Sequence, residues 1–117
     1  MFALLKDGII NQKLNIERLF TNFVAASPSI EFSRDIILNM ENEMSKNITS
    51  FPTILYITIG SRESDTCEDI IANLVETLGN SNYIDFLLVY YVTPDADHWG
   101  NIDPTYEEGL KLIFNIQ

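Results

Sequence analysis

The stretch ILYITI, residues 54–59, is apolar or β-branched at nearly every position and shows no polar alternation. A strand with one wet face alternates. An unbroken run of this kind is buried on both faces, the situation inside a parallel sheet. Parallel strands need long crossover connections, normally helices, so this one run already asks for helices on either side of it in the chain.

The flanking segments supply them. FVAASPSI (23–30) begins as a short β-type run and stops at Ser27-Pro28, because proline cannot extend a ladder. Ser33 is the expected cap of a helix over about 34–46, with Ile36, Ile37, Met40 and Met44 on one face. After the turn GSRESD (60–65), DTCE reads as a capping box with Asp65 as N-cap and Glu68 three residues on. Ile70, Ile71, Leu74, Val75 and Leu78 then recur at helical spacing, and Gly79 is the expected C′ residue. YIDFLLVYYV (83–92) is a third strand. Asp103-Pro104 reads as N-cap and first residue of a last helix burying Leu110, Ile113 and Phe114. Before all this, a short helix ends at Gly8 and a polar connection leads to Leu19-Phe20.

The expected fold is therefore α/β, with parallel strands at about 23–26, 54–59 and 83–92 and helices covering both faces of the sheet. At 117 residues the chain amounts to a single domain, 1–117, and its 46% hydrophobic content suffices for a modest core. A net charge of −10 disfavours nucleic acid and anionic membrane surfaces. One cysteine, Cys67, excludes an internal disulfide and any multi-cysteine metal site. No apolar run reaches about 18 residues, and MFALLKDG lacks the features of a signal peptide, so the default expectation is a cytoplasmic chain.

In such a sheet, functional groups collect where the strands end and the loops open. Glu63 follows the second strand by four residues, and His98, the single histidine, follows the third by six. Neighbouring strand ends lie about 5 Å apart, so a carboxylate and an imidazole on these loops can meet. A carboxylate so placed fixes the tautomer of a histidine base and stabilises the imidazolium that forms. In α/β-hydrolases the acid precedes the histidine along the chain, as Glu63 precedes His98, and a G-x-S-x-G elbow precedes both. This chain has no such elbow. Ser27 follows a strand, but Pro28 has no N–H to offer an oxyanion. Ser29 and Ser61 lack flanking glycines, and Cys67 falls inside a helical pattern.

LFTNFVAASPSI, ILYITIGSRE and DADHWGNIDPTYEEGLKLIF, in that order, resemble the C-terminal half of the esterase family of α/β-hydrolases that includes the ferric-siderophore esterases. The matching features are Ser27-Pro28-Ser29, the Gly60-to-Glu63 turn, His98, and Gly109-Leu110 through Phe114, so the resemblance runs from about Phe2 to Phe114. It implies a partial α/β-hydrolase-like three-layer sandwich whose intact relatives act on small-molecule esters. It implies His98 as the triad histidine and Glu63 as its acid, with Asp65 as the alternative acid. Ser27, Ser29 and Trp99 would line the substrate site, with no metal and no cofactor. In the family the elbow is followed by a helix that starts much like Phe2-Ala3-Leu4, and this chain begins with Met1 where the elbow has just ended. The expectation is a C-terminal portion without the nucleophile-elbow region, inactive as an esterase on its own. Its first strand would present an open edge, inviting self-association or a complementing N-terminal half.

Two other readings compete. The acidity also suits a small binding or inhibitory protein for a basic partner, since complementary charge speeds encounter. A flavodoxin-like domain would need a glycine-rich phosphate turn after a strand, and none is present. Asp95, Asp97 and Asp103 near His98 supply oxygens and a single nitrogen, whereas zinc would want more nitrogen or sulfur; turn formation is their expected role.

Overall fold

The structure, a computed structural model, describes residues 21–30 and 34–115. The expected short helix ending at Gly8, the expected connection to Leu19-Phe20 and the expected Ser33 cap fall on residues outside the described ones. Within them the order is β1 (Asn22–Ala26), α1 (Arg34–Asn47), β2 (Ser50–Gly60), α2 (Asp65–Asn80), β3 (Ile84–Thr93) and α3 (Ile102–Phe114).

The three strands form one parallel sheet in the order β1-β2-β3, so β2 is hydrogen-bonded along both edges. Ala26 pairs with Thr58, and Gly60 with Thr93. Every residue from Leu55 to Gly60 is buried. Their alternation divides the molecule into two packing zones. Leu55, Ile57 and Ile59 join Ile37 and Met44 of α1 and Ile71, Leu74 and Leu78 of α2 in the main core. Phe86, Leu88, Tyr90 and Val92 of β3 pack against the same cluster. On the opposite face Tyr56 and Thr58 meet α3. There Gly109 lets the helix sit close, because a Cβ at that position would lie 2.8 Å from both methyl groups of Val24 and 3.0 Å from the Tyr56 ring.

A buried carboxylate ties α1 to the start of β3. Glu41, 3% exposed, accepts hydrogen bonds from the Tyr83 hydroxyl at 3.0 Å and from Ser81 Oγ. Burial, reinforced by the charge of Glu41, pushes the Tyr83 phenol above its ordinary pKa, so it stays a donor.

Several expected details are corrected. The N-cap of α2 is Ser64, whose Oγ accepts from the Cys67 amide at 3.2 Å, and Asp65 is the first helical residue. Serine and aspartate cap about equally well, and starting one residue earlier places both Asp65 and Glu68 in the first turn, where the dipole favours them. Gly79 lies inside α2, which ends at the Ser81 cap. The left-handed position is taken by Asn82, with φ 55°. The N-cap of α3 is Asn101, and Asp103 and Pro104 lie in its first turn. Ile36 is 54% exposed and Met40 half-buried, leaving Ile37, Glu41 and Met44 as the buried face of α1.

Leu110 and Phe114, 47% and 66% exposed, are not core residues. The positions α3 buries are Thr105 and Gly109, because the close approach to the sheet leaves room only for small side chains. Leu110, Ile113 and Phe114 instead line a groove of about 580 Å³ with Thr21, Asn22, Val24 and Tyr106 beside β1. Among the described residues, helices thus cover one face of the sheet more completely than the other, since Leu87 and Tyr91 of β3 are about half exposed on the α3 side. Leu55→Ala should therefore cost about 2–5 kcal/mol in urea unfolding. Leu110→Ala should shift stability by no more than about 0.5 kcal/mol; a comparable loss in both would contradict this division.

Candidate functional site

Parallel pairing places the carboxyl ends of all three strands at one edge of the sheet, and three consecutive loops open there. Ser27 follows β1, residues 61–63 follow β2, and residues 94–98 follow β3. The latter two loops are stitched together by backbone. Ser61 N–H donates to Thr93 O and Arg62 N–H to Ala96 O, both at 2.9 Å, and Asp95 N–H donates to Ser61 Oγ at 2.8 Å.

Gly60 makes this stitching sterically feasible. A Cβ there would fall 2.8 Å from the carbonyl carbon of Ala96 and closer still to its oxygen, so any side chain would drive the β3 loop off the end of β2.

The Glu63 side chain, 10% exposed, folds back over the end of β2. Its Oε2 accepts from the Gly60 amide at 2.7 Å and from Ser27 Oγ at 2.5 Å, while Oε1 lies 3.0 Å from His98 Nδ1. Burial is the largest single influence on this carboxyl and pushes its pKa up. The hydrogen bonds from Ser27, Gly60 and His98, with the charge of His98, together outweigh it, and the net result lies below the ordinary carboxylate value. Any stability that Glu63 contributes is therefore present above the ordinary carboxylate pKa and is lost as pH falls through the lowered one. An ionised carboxylate can only accept, so the proton between the two side chains belongs to Nδ1. That leaves Nε2 as the free, basic nitrogen. His98 is about half exposed, and Trp99, 77% exposed, lies edge-on to it with ring centroids 5.4 Å apart.

The two side chains read from the sequence as acid and base thus lie in hydrogen-bond contact. Asp65, the alternative acid, is exposed in the first turn of α2, and Glu63 occupies the position against the imidazole. Ser27 is buried and bonded to Glu63 rather than open to a substrate, whereas Ser29 is exposed. Among the described residues no hydroxyl or thiol is hydrogen-bonded to Nε2, and no group of three or more His, Cys, Asp or Glu side chains gathers as a metal site would require. Asp97 acts locally, accepting from the Gly100 amide at 2.7 Å.

Behind Glu63 lies a polar cluster that the sequence reading missed. The Asn101 side chain, fully buried, donates from Nδ2 to Ser27 Oγ at 2.7 Å and to Thr58 Oγ1 at 2.8 Å. Its Oδ1 accepts from Thr93 Oγ1 at 2.5 Å, and Thr58 and Thr105 share a hydrogen bond of 2.6 Å. Thr58 was the available signal. A hydroxyl inside a strand buried on both faces needs a partner, and the helix after the third strand was where to look.

Three parallel strands with helices on both sides, opening at one edge onto a carboxylate–imidazole pair, make a small three-layer α/β fold. Among solved structures the chain is similar to the siderophore hydrolase EstA from Aspergillus nidulans, with a TM-score of 0.71 over 98% of this chain. Identity is 22%, so the likeness is one of fold, and the chain spans 44% of that protein's length. No family model matches the chain, and no curated protein sequence does either.

Gly60→Ala is expected to separate the loops. The Arg62 amide should lose its protection from hydrogen exchange, and the Glu63–His98 contact should disappear from the nuclear Overhauser pattern. Retention of both would show that the close approach does not hold the pair.

Proposed function

We propose that this chain, as one domain, is the C-terminal, acid-and-histidine portion of an α/β-hydrolase acting on carboxylic esters, of the ferric-siderophore-esterase kind. The observation that carries the proposal is the 3.0 Å contact between Glu63 Oε1 and His98 Nδ1 at the carboxyl edge of a parallel sheet. The similarity in fold to a siderophore hydrolase supports the substrate class. In this reading His98 Nε2 takes the proton of an attacking hydroxyl and later delivers it to the leaving alkoxide, while Glu63 holds the ring and stabilises the imidazolium. Trp99 stands edge-on beside the exposed imidazole, where the acyl or alcohol part of the ester would rest, and Ser29, exposed after β1, is a further candidate contact.

The attacking serine and the oxyanion donors come, in this proposal, from a segment that continues the sheet beyond β1. Without them nothing holds an ester against His98, so even general-base help to water, worth about 10²–10⁴-fold where a substrate is positioned, is not realised. The purified chain is expected to hydrolyse a p-nitrophenyl ester no faster than its His98→Ala variant. Turnover by the parent chain that vanishes in the variant would overturn the incompleteness. An adjoining reading frame encoding G-x-S-x-G supports the proposal, and its product, made together with this chain, should give turnover that depends on His98. Such a mixture remaining inert would count against the esterase assignment.

The outer edge of β1 pairs with no other strand among the described residues, and the apolar groove beneath α3 lies beside it. Unpaired strand edges and apolar surface both favour association. Absent a complementing segment, the chain should show a weight-average mass by light scattering that climbs toward a dimer with concentration. A constant monomer mass would reject self-association.

A further inference from the structure

Asn101 stands at the N-cap of α3, where an asparagine ordinarily turns its side chain outward to accept from the first-turn amides. Here it makes no such bond. The side chain points inward, fully buried; its nitrogen donates to Ser27 and Thr58, and its oxygen accepts from Thr93 at 2.5 Å and from Thr105 of α3 at 3.2 Å.

The direction of these bonds follows from chemistry. The amide nitrogen can only donate, so Ser27 Oγ and Thr58 Oγ1 must accept from it. Thr93 Oγ1 donates to Oδ1 at 2.5 Å, and because Ser27 Oγ also lies against an acceptor-only carboxylate oxygen, the nitrogen end of the amide is the one that faces Ser27. With its oxygen taken, the Ser27 hydroxyl has one proton left to place, and Glu63 Oε2 lies 2.5 Å away. Ser27 and the Gly60 amide then occupy Oε2 between them, leaving Oε1 to His98. Ser27 adopts φ 46°, a left-handed conformation unusual for serine, and is 5% exposed. Such a backbone persists only where surrounding contacts over-determine it, and these are the contacts.

We infer that Asn101 is a positioning residue: acting through Ser27, it anchors one oxygen of the Glu63 carboxylate at the end of β2 and thereby sets the angle at which the other is presented to His98. The inference rests on the proposed acid–histidine reading for its catalytic meaning, while the geometry can be tested without turnover. Neither residue touches a reacting atom. Ser27 accordingly moves from a substrate-lining residue to a link behind the acid.

The test is a double-mutant cycle read on the carboxyl carbon of Glu63 by NMR titration. His98 is the single charged neighbour that perturbs this group among the described residues, which keeps the titration interpretable. Ser27→Ala should raise the Glu63 pKa, and Asn101→Leu should raise it less. The double variant should equal Ser27→Ala alone, because one residue acts through the other. Leu74→Ala, a buried change in the apolar core on the opposite face of the sheet, should lower stability and leave the Glu63 titration in place. If Asn101→Leu does not fold, Thr93→Val, which removes the shorter of the two hydroxyl contacts to the amide oxygen and so loosens the side chain, takes its part in the cycle. An unmoved Glu63 titration in Ser27→Ala, or additive shifts in the double variant, would overturn the inference. Absence of ester turnover under every condition would instead sink the proposed function and leave the cycle's result standing.

Discussion

The arrangement depends on the burial of β2 from Leu55 to Gly60 on both faces and along both edges. A strand in that position can tolerate no unpaired polar group, and it hands its partners a fixed direction. Because β1 and β3 run parallel to it, all three chains leave the sheet at one edge. Gly60 then lets the loop after β3 cross the end of β2 at backbone contact distance. Everything that brings a carboxylate to an imidazole follows from these two conditions.

The site inverts the usual relation between core and surface. The core beneath β2 is apolar, with Leu55, Ile57 and Ile59 against α1 and α2. The opposite face carries Thr58, Thr105 and Asn101, all buried and all mutually hydrogen-bonded. A polar network of this sort is stable only when complete, and it specifies geometry more sharply than packing does. Its placement directly behind Glu63 accounts for a carboxylate that is both mostly buried and ionised.

Much of this was legible in the sequence. The run at 54–59 announced a central parallel strand, and the stripes in α1 and α2 announced the helices that cover it. That the loops after the second and third strands could bring Glu63 to His98 was legible from where those strands end. What failed were helix starts and the buried face of α3. Ser64 and Asp65 are equally good caps in isolation, and the choice between them is made by the turn that precedes. Asn101 looks like a loop residue because its partners Ser27 and Thr58 lie 74 and 43 positions away. Leu110 and Phe114 look like core because local periodicity cannot report how closely a helix approaches a sheet. Glu41 was hidden likewise, since its partners Ser81 and Tyr83 are some forty residues downstream.

Asn101 begins a helix without capping it, and that has a bearing on any attempt to make the protein hardier. An aspartate or serine placed there to serve the first turn of α3 would leave the Ser27 and Thr58 hydroxyls without their amide donor inside a closed network. Each such orphan costs about 1–3 kcal/mol, against about 1 kcal/mol gained by a cap. The uncapped helix start is thus the lesser loss, and a repair aimed at it alone would weaken the protein.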